Sequence, residues 1–460
     1  MGEQQDRQQG TRGKTPGRRG MLKAGLAAGA LASTGAWRAA PGQWPLRQPG
    51  SLPYPRLPAG TDTIPQIEHI VVLMMENHSF DNRVGMLRRP GVDGFRLGPH
   101  GLPLATNPYA NGQVQHAFRM PTTCQLNGHP AQDWLASHTQ YADGRLDGFV
   151  ESGSGPVAMG YWAAADQPFY YSLYRHFPVA DRYFCSVLGQ TYPNRRYLLA
   201  ATSIGQVNDT LPNLTDYPAN GTIYDQLDAH GISWKDYFST LPTVELYPKL
   251  YLNNVGKKVV PIADFFADAA AGTLPDYSLV EPDYGTQSEE NPQNIAVGEE
   301  FAAQVINAVI TGPAWDKTAL LLTYDEHGGY YDHVPPPAAI PPDAIPPIVV
   351  PGESAFDGFA RYGFRVPFAL VSPWARRRFV SHQTYDHTSI LKLAETKWNL
   401  PALTYRDANA APMLDMLDLS RPWFSSPPKL DQPLAVTDPS ALSCSTTGPG
   451  TIPPPGSITG

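Results

Sequence analysis

Three polar clusters in this chain follow directly on apolar runs. Glu76, Asn77, His78, Ser79, Phe80 and Asp81 come after IEHIVVLMM, and Asp325, Glu326, His327, Gly328, Gly329, Tyr330, Tyr331, Asp332 and His333 come after TALLLTY. His382, Tyr385, Asp386, His387 and Thr388 come after VPFALVS and a turn. Glu76 and Asn77 with Asp325 and Glu326 offer carboxylate and amide oxygens, the donor set of a hard divalent cation, and the histidines could extend the choice to a transition metal. The plainer reading is that strand-end Asp and Asn cap turns and helices. For the four residues taken together, the cation cage is the stronger reading.

A nucleophile is sought where a strand turns into a helix, because a helix N-terminus offers amides and a positive dipole end. The mostly apolar stretch 177–189 leads into Gln190, Thr191, Tyr192, Pro193, Asn194 and Arg195, which open a helix expected through 203, with Pro193 near a favoured first-turn position. Thr191 then stands at the N-cap or beside it. Its hydroxyl could cap the helix only, or could ionise beside a metal and attack phosphorus while Asn194 and backbone amides hold the anionic oxygens. Metal, alcohol nucleophile and His acids together suit ester transfer at phosphorus or sulfur.

These residues need elements that bring them to one edge. The runs at 67–75, 318–324 and 366–372 are nearly continuous in apolar residues, as expected of strands buried on both faces of a mostly parallel sheet. Helical periodicity appears over 222–230, 297–311 and 388–398. Strands alternating with helices over about 350 residues predict one α/β domain, in which ligands bind beyond the carboxyl ends of the strands. The Pro-rich segment 334–352 can be neither helix nor inner strand and is expected as a rigid surface loop.

Composition excludes several classes. Of 460 residues, 34 are Lys or Arg and 42 are Asp or Glu, and the first 23 carry six basic and two acidic groups. The remainder, 28 basic against 40 acidic, is net −12, which argues against a nucleic-acid partner. Arg18 and Arg19 precede thirteen small and apolar residues, Ala24 to Ala36, the layout of a twin-arginine signal. The run is too short to span a bilayer, so residues 1–40 are expected as a cleaved signal read by the twin-arginine export machinery, with no stable membrane anchor and a secreted or periplasmic product. Residues 41–62 are expected as a Pro-rich linker, 63–424 as the catalytic domain and 425–460 as a disordered or surface-draped tail. Three cysteines allow at most one disulfide: Cys185 reads as a buried thiol and Cys444, in the tail, could be free.

The segments IEHIVVLMMENHSFDN, GQTYPNR, TYDEHGGYYDHVPPP and YDHTSILKLAETKWNLPALTYRD resemble, in order, the four strongest signatures of the bacterial phosphoesterase family that holds phosphatidylcholine-type phospholipases C and respiratory-burst-inhibiting acid phosphatases, within the alkaline-phosphatase-like superfamily. The resemblance covers about 67–406 and implies a three-layer α/β/α sandwich around a mostly parallel sheet. It implies Glu76, Asn77, Asp325 and Glu326 as ligands of a divalent metal, Thr191 as nucleophile, His129 as a flanking acid, and His387 as a family His of less defined role. His327 and His333 match the motif too, with a loop-structuring role as the alternative; His78 and His69 are expected to be structural.

There are departures. Asn291 stands where the family often has His, and a side-chain amide cannot transfer a proton at neutral pH. The chain also ends soon after the last shared motif, without the added C-terminal domains of the long haemolytic members, which points away from intact bilayers as substrate. The expected activity is metal-dependent hydrolysis of a phosphodiester of phospholipase C type on a phosphate ester such as a phospholipid headgroup. The alternatives are a phosphomonoesterase without lipid preference and a catalytically degenerate binding member of the fold. Trp162, Tyr161, Tyr170 and Tyr171 could cage a choline cation, although packing is the commoner role for such residues.

Overall fold

The structure, a computed structural model, describes residues 46–125, 129–437, 444 and 452–459. The expected signal at 1–40 lies outside the described residues. The central sheet has eight strands: β1 (His69–Met75), β2 (Val179–Ala180), β3 (Trp234–Phe238), β4 (Val259–Pro261), β5 (Tyr277–Val280), β6 (Thr318–Tyr324), β7 (Phe368–Val371) and β8 (Val380–Ser381). Their order is β8-β2-β7-β6-β1-β5-β3-β4, and only β7 runs against the others. β1 and β6 are the central pair. Every residue of β6 and all but His69 of β1 are buried, which is why both read as unbroken apolar runs without alternation.

Two groups of helices flank the sheet, giving the α/β/α arrangement. One group holds α1 (Pro168–His176), α4 (Ile262–Ala271) and α5 (Ile295–Thr311); the other holds α2 (Thr191–Ala200), α3 (Ile223–Ala229) and α6 (His387–Trp398). All twelve residues of α6 are buried, so truncating one of its core leucines, Leu391→Ala, carries a cost of about 2–5 kcal/mol. Segment 334–352 has neither helix nor regular strand, as its prolines require.

The ends of the chain are more tightly held than the composition suggests. The segment expected as a linker runs along the C-terminal end of α6: Asn399 Nδ2 donates to the carbonyls of Tyr54, Leu57 and Pro58, Lys397 Nζ reaches Asp62 at 2.8 Å, and Gly50 and Ala402 bond through their backbones. Packing thus begins before Thr63, because α6 offers this Pro-rich stretch the polar partners it cannot supply itself. In the expected tail, Leu430 is buried in the main core, and the Gly456 amide donates to Val114. Cys444 is not free but is bonded to Cys124, while Cys185 is the buried thiol, its pKa pushed up by burial.

Candidate active site

The register of the two central strands builds the floor of the site. β1 and β6 pair in parallel with Met75 opposite Tyr324, so Glu76 and Asn77 leave the sheet beside Asp325 and Glu326 at the same carboxyl edge. The backbones lock there. The Asn77 and Glu326 amides both donate to Asp325 Oδ1, at 3.1 and 2.7 Å. Asn77 has φ +64°, a left-handed conformation that Asn tolerates better than most residues. Gly328 packs on that turn so closely that a Cβ would lie 1.8 Å from the Asn77 carbonyl oxygen, which explains the glycine after Asp-Glu-His.

Thr191 is the first residue of α2, with Gln190 at the N-cap making no side-chain capping bond. The cap comes from another loop: Asp209 Oδ1 accepts the Tyr192 amide at 2.7 Å. Thr191 Oγ1 lies 3.4 Å from Asn77 Oδ1, a weak donor contact that joins the nucleophile candidate to the strand-end cluster.

Burial sets the electrostatics. It pushes the carboxyl groups of Glu76, Asp325 and Glu326 above their ordinary range, and Asp325 raises the other two further. Arg195, one turn along α2 from Thr191, offsets part of this: its Nε is 2.9 Å from Asp325 Oδ2 and its Nη2 3.6 Å from Glu76 Oε1. One guanidinium among three acids offsets only part of the cost of ionising them. Glu76 Oε2, Asn77 Nδ2 and Glu326 Oε1 are buried without a hydrogen-bond partner. Orphaned oxygens are what a hard divalent cation satisfies, so the donor set fits one.

A second acidic group, Asp81, Asp332 and His333, brings ligand-type atoms within 4.8 Å of one another and also has donors for a cation. It is closed by its own partners. Arg365 Nε and Nη2 reach Asp332 at 2.9 Å and Asp81 at 3.2 Å, and His333 Nδ1 donates to Asp81 at 2.6 Å. Here the guanidinium and imidazole already satisfy the carboxylate oxygens.

Several residues expected to do chemistry have other tasks. Asn194 is not aimed at an anion: its Oδ1 accepts the Ser186 and Val187 amides and its Nδ2 donates to Val187, Gly189 and Gln190, so it clamps the loop that presents Thr191. His387 is fully buried, with Nε2 donating to the Asp325 carbonyl at 2.7 Å and Nδ1 accepting from Tyr183. Burial lowers its pKa to about 4, so it stays neutral and positions Asp325. His129 Nε2 is 2.9 Å from Glu290 Oε1, and that bond raises its pKa. Glu290, not His129, borders the cleft. Asn291 accepts from the Tyr330 hydroxyl at 2.7 Å. His327 bonds Gln140 and faces Glu326, with its pKa lowered to about 3 by burial, which is the loop-structuring role. The expected aromatic cage is core: Trp162, Tyr161, Tyr170 and Tyr171 are all buried, with Arg83 over Trp162 and Tyr170.

A cleft of about 650 Å³ opens above Thr191 and Glu76. Its lining includes the polar side chains of Arg195, Asp209, Tyr284 and Glu290 and the exposed leucines Leu211, Leu214, Leu241 and Leu252. Arg195, Asp209 and Glu290 were not legible as site residues from strand-end position, since one lies inside a helix and two in loops. Burial raises the Asp209 pKa to about 7.

The phosphoesterase family model matches residues 67–401, most of the described chain. The chain belongs to the phosphoesterase family. Among its curated relatives, this phosphoesterase is 31% identical over 434 residues to phospholipase C B of Mycobacterium tuberculosis, covering 82% of each chain. It is 32% identical over 371 residues to non-specific phospholipase C1 of Arabidopsis thaliana, covering 74% of this chain and 69% of that one. Among solved structures, an alkaline phosphatase superfamily protein from Vibrio parahaemolyticus aligns over 70% of this chain and 77% of its own, with a TM-score of 0.34 at 13% identity. The protein is a phosphoric ester hydrolase of α/β/α fold.

Proposed function

We propose that this phosphoesterase cleaves a phosphodiester in the manner of a phospholipase C, through a covalent Thr191 intermediate, with a divalent cation held by Glu76, Asn77, Asp325 and Glu326. The carrying observation is the β1–β6 register, which sets four oxygen-bearing side chains at one edge and leaves Thr191 Oγ1 3.4 Å from Asn77 Oδ1 at the foot of the cleft. When bound, the cation supplies Lewis acidity that favours the Thr191 alkoxide and offsets charge on the phosphoryl oxygens. Thr191 Oγ gives up its proton to solvent in the cleft and attacks phosphorus in line, and the bond from phosphorus to the departing alcohol breaks. Asn194 and Asp209 hold the helix start so that this oxygen has one position, and Arg195 keeps Asp325 oriented. The alcohol takes its proton from Glu290, which borders the cleft and is resupplied by His129 behind it. Water then cleaves the Thr191 phosphoester, returning the hydroxyl and releasing the phosphorylated headgroup.

Residues 1–40 act in this reading as a twin-arginine signal, and the protein works outside the cytoplasm. The Cys124–Cys444 disulfide supports an oxidising compartment. No helix among the described residues is long and apolar enough to cross a membrane.

The test is p-nitrophenol release from p-nitrophenyl phosphorylcholine and from p-nitrophenyl phosphate, with and without a chelator. Chelator-sensitive turnover of the diester is the expected result. Turnover of the monoester alone assigns a phosphatase, and silence on both with metal bound overturns the catalytic reading.

A further inference from the structure

We propose that the leucine rim of the cleft is a docking surface for a zwitterionic phospholipid bilayer, from which the headgroup reaches Thr191. The proposal rests on the phosphodiesterase reading and names the physical form of its substrate. Leu211, Leu214, Leu241 and Leu252 are 75%, 77%, 55% and 63% exposed. Single exposed leucines are ordinary, but these four border one opening whose floor holds Thr191 and Glu76. The rim is therefore continuous with the site.

The rim is also tied to the turn that carries Thr191. Leu211 and Leu214 follow Asp209, whose carboxylate accepts the amide of Tyr192, the neighbour of Thr191. Leu211-Pro212 and Leu241-Pro242 both line the cleft, as does Leu252 on the short helix Pro248–Asn254. A phosphodiester lipid has a polar headgroup and apolar chains, and the cleft repeats that division from floor to rim.

Charge selects the kind of surface. The cleft lining holds Glu76, Asp209, Glu245 and Glu290 against Arg195 alone, and the chain as a whole is −8, so its charge does not favour an anionic membrane. Docking must come from apolar burial at an uncharged or zwitterionic interface. The rim places a lipid surface within the catalytic domain itself.

The test separates docking from turnover. Cosedimentation with phosphatidylcholine vesicles is measured for the full chain carrying Thr191→Ala, with and without Leu211→Ser, Leu214→Ser, Leu241→Ser and Leu252→Ser together. The four serines are expected to weaken vesicle binding by about tenfold or more, and Leu211→Trp with Leu214→Trp to strengthen it. With Thr191 intact, the four serines should lower the rate on vesicles by a similar factor and leave the rate on p-nitrophenyl phosphorylcholine within about twofold. Unchanged vesicle binding, or equal loss on the soluble diester, overturns the docking surface. So does light scattering that shows a wild-type dimer split by the serines, since the rim then covers a second copy. Leucine-dependent vesicle binding by a protein that turns over no diester keeps the docking surface and removes the diesterase reading.

Discussion

Two buried acidic clusters grow from the same two segments and have opposite fates. Glu76, Asp325 and Glu326 sit at the strand ends; Asp81 and Asp332 lie five and seven residues beyond Glu76 and Asp325. Each has an arginine, Arg195 in one and Arg365 in the other. Around Arg365 every carboxylate oxygen is used: Asp81 by Arg365 and His333, Asp332 by Arg365, Val334 and the Asp81 amide. Around Arg195 the guanidinium is shared with Glu281, Thr243 and Tyr284, and oxygens of Glu76 and Glu326 are left without partners. Acidic composition is therefore a poor guide to function. Closure of the hydrogen-bond inventory separates a saturated ion network from one that leaves carboxylate oxygens open, the feature on which the proposed cation site rests.

The sharpest break of this comparison comes from Thr191, the proposed nucleophile. Thr191→Ala is expected to lower kcat by about a thousandfold or more, roughly 4 kcal/mol of barrier, with an unchanged thermal midpoint. Activity within about tenfold of wild type removes Thr191 from the chemistry.

Asp332→Ala, in the closed cluster, strands the buried Arg365 and is expected to cost about 3–5 kcal/mol of stability in urea unfolding while leaving metal content per folded chain unchanged. If that variant instead loses metal at full stability, the assignment of the two clusters is reversed. Glu326→Gln, in the open cluster, should do the opposite: elemental analysis shows reduced metal, and metal-free stability moves by less than about 1 kcal/mol because no ion pair is stranded.

The smallest effect is a pH dependence. Burial opposes protonation of His333, yet Asp81 and Asp93 prevail and raise its pKa to about 10. A folded-state pKa above the unfolded one contributes stability that is complete below the ordinary His range and is lost as pH rises through about 10. At the acid end, its bond to His333 lowers the Asp93 pKa to about 2, so that contribution persists above the ordinary Asp range and is lost as pH falls through about 2. Unfolding midpoints across pH should narrow at both ends in wild type and lose that component in His333→Gln. A wild-type profile unchanged by the substitution denies the network its role.

Strand position was readable because burial on both faces leaves no alternation: 318–324 appeared whole, and 67–75 and 366–372 were shortened at their ends to His69–Met75 and Phe368–Val371. The helix expected through 203 stops at Ala200, where Ala201 turns left-handed. Asn194 and His387 were readable as members of the site but not in their tasks. An amide or imidazole is defined by what faces it, and their partners lie on separate elements.

The sequence by itself determined the α/β plan, the strand ends that carry Glu76, Asn77, Asp325 and Glu326, and Thr191 at a helix start, because apolar runs and turn chemistry are local properties. Tertiary structure alone decided which acids are closed by arginine, that Glu290 and not His129 borders the cleft, that Asp209 caps the helix that begins at Thr191, and that four distant leucines line one cleft. Each of these is a meeting of residues far apart in the chain, and hydrophobic patterning says which face is buried without saying what it is buried against.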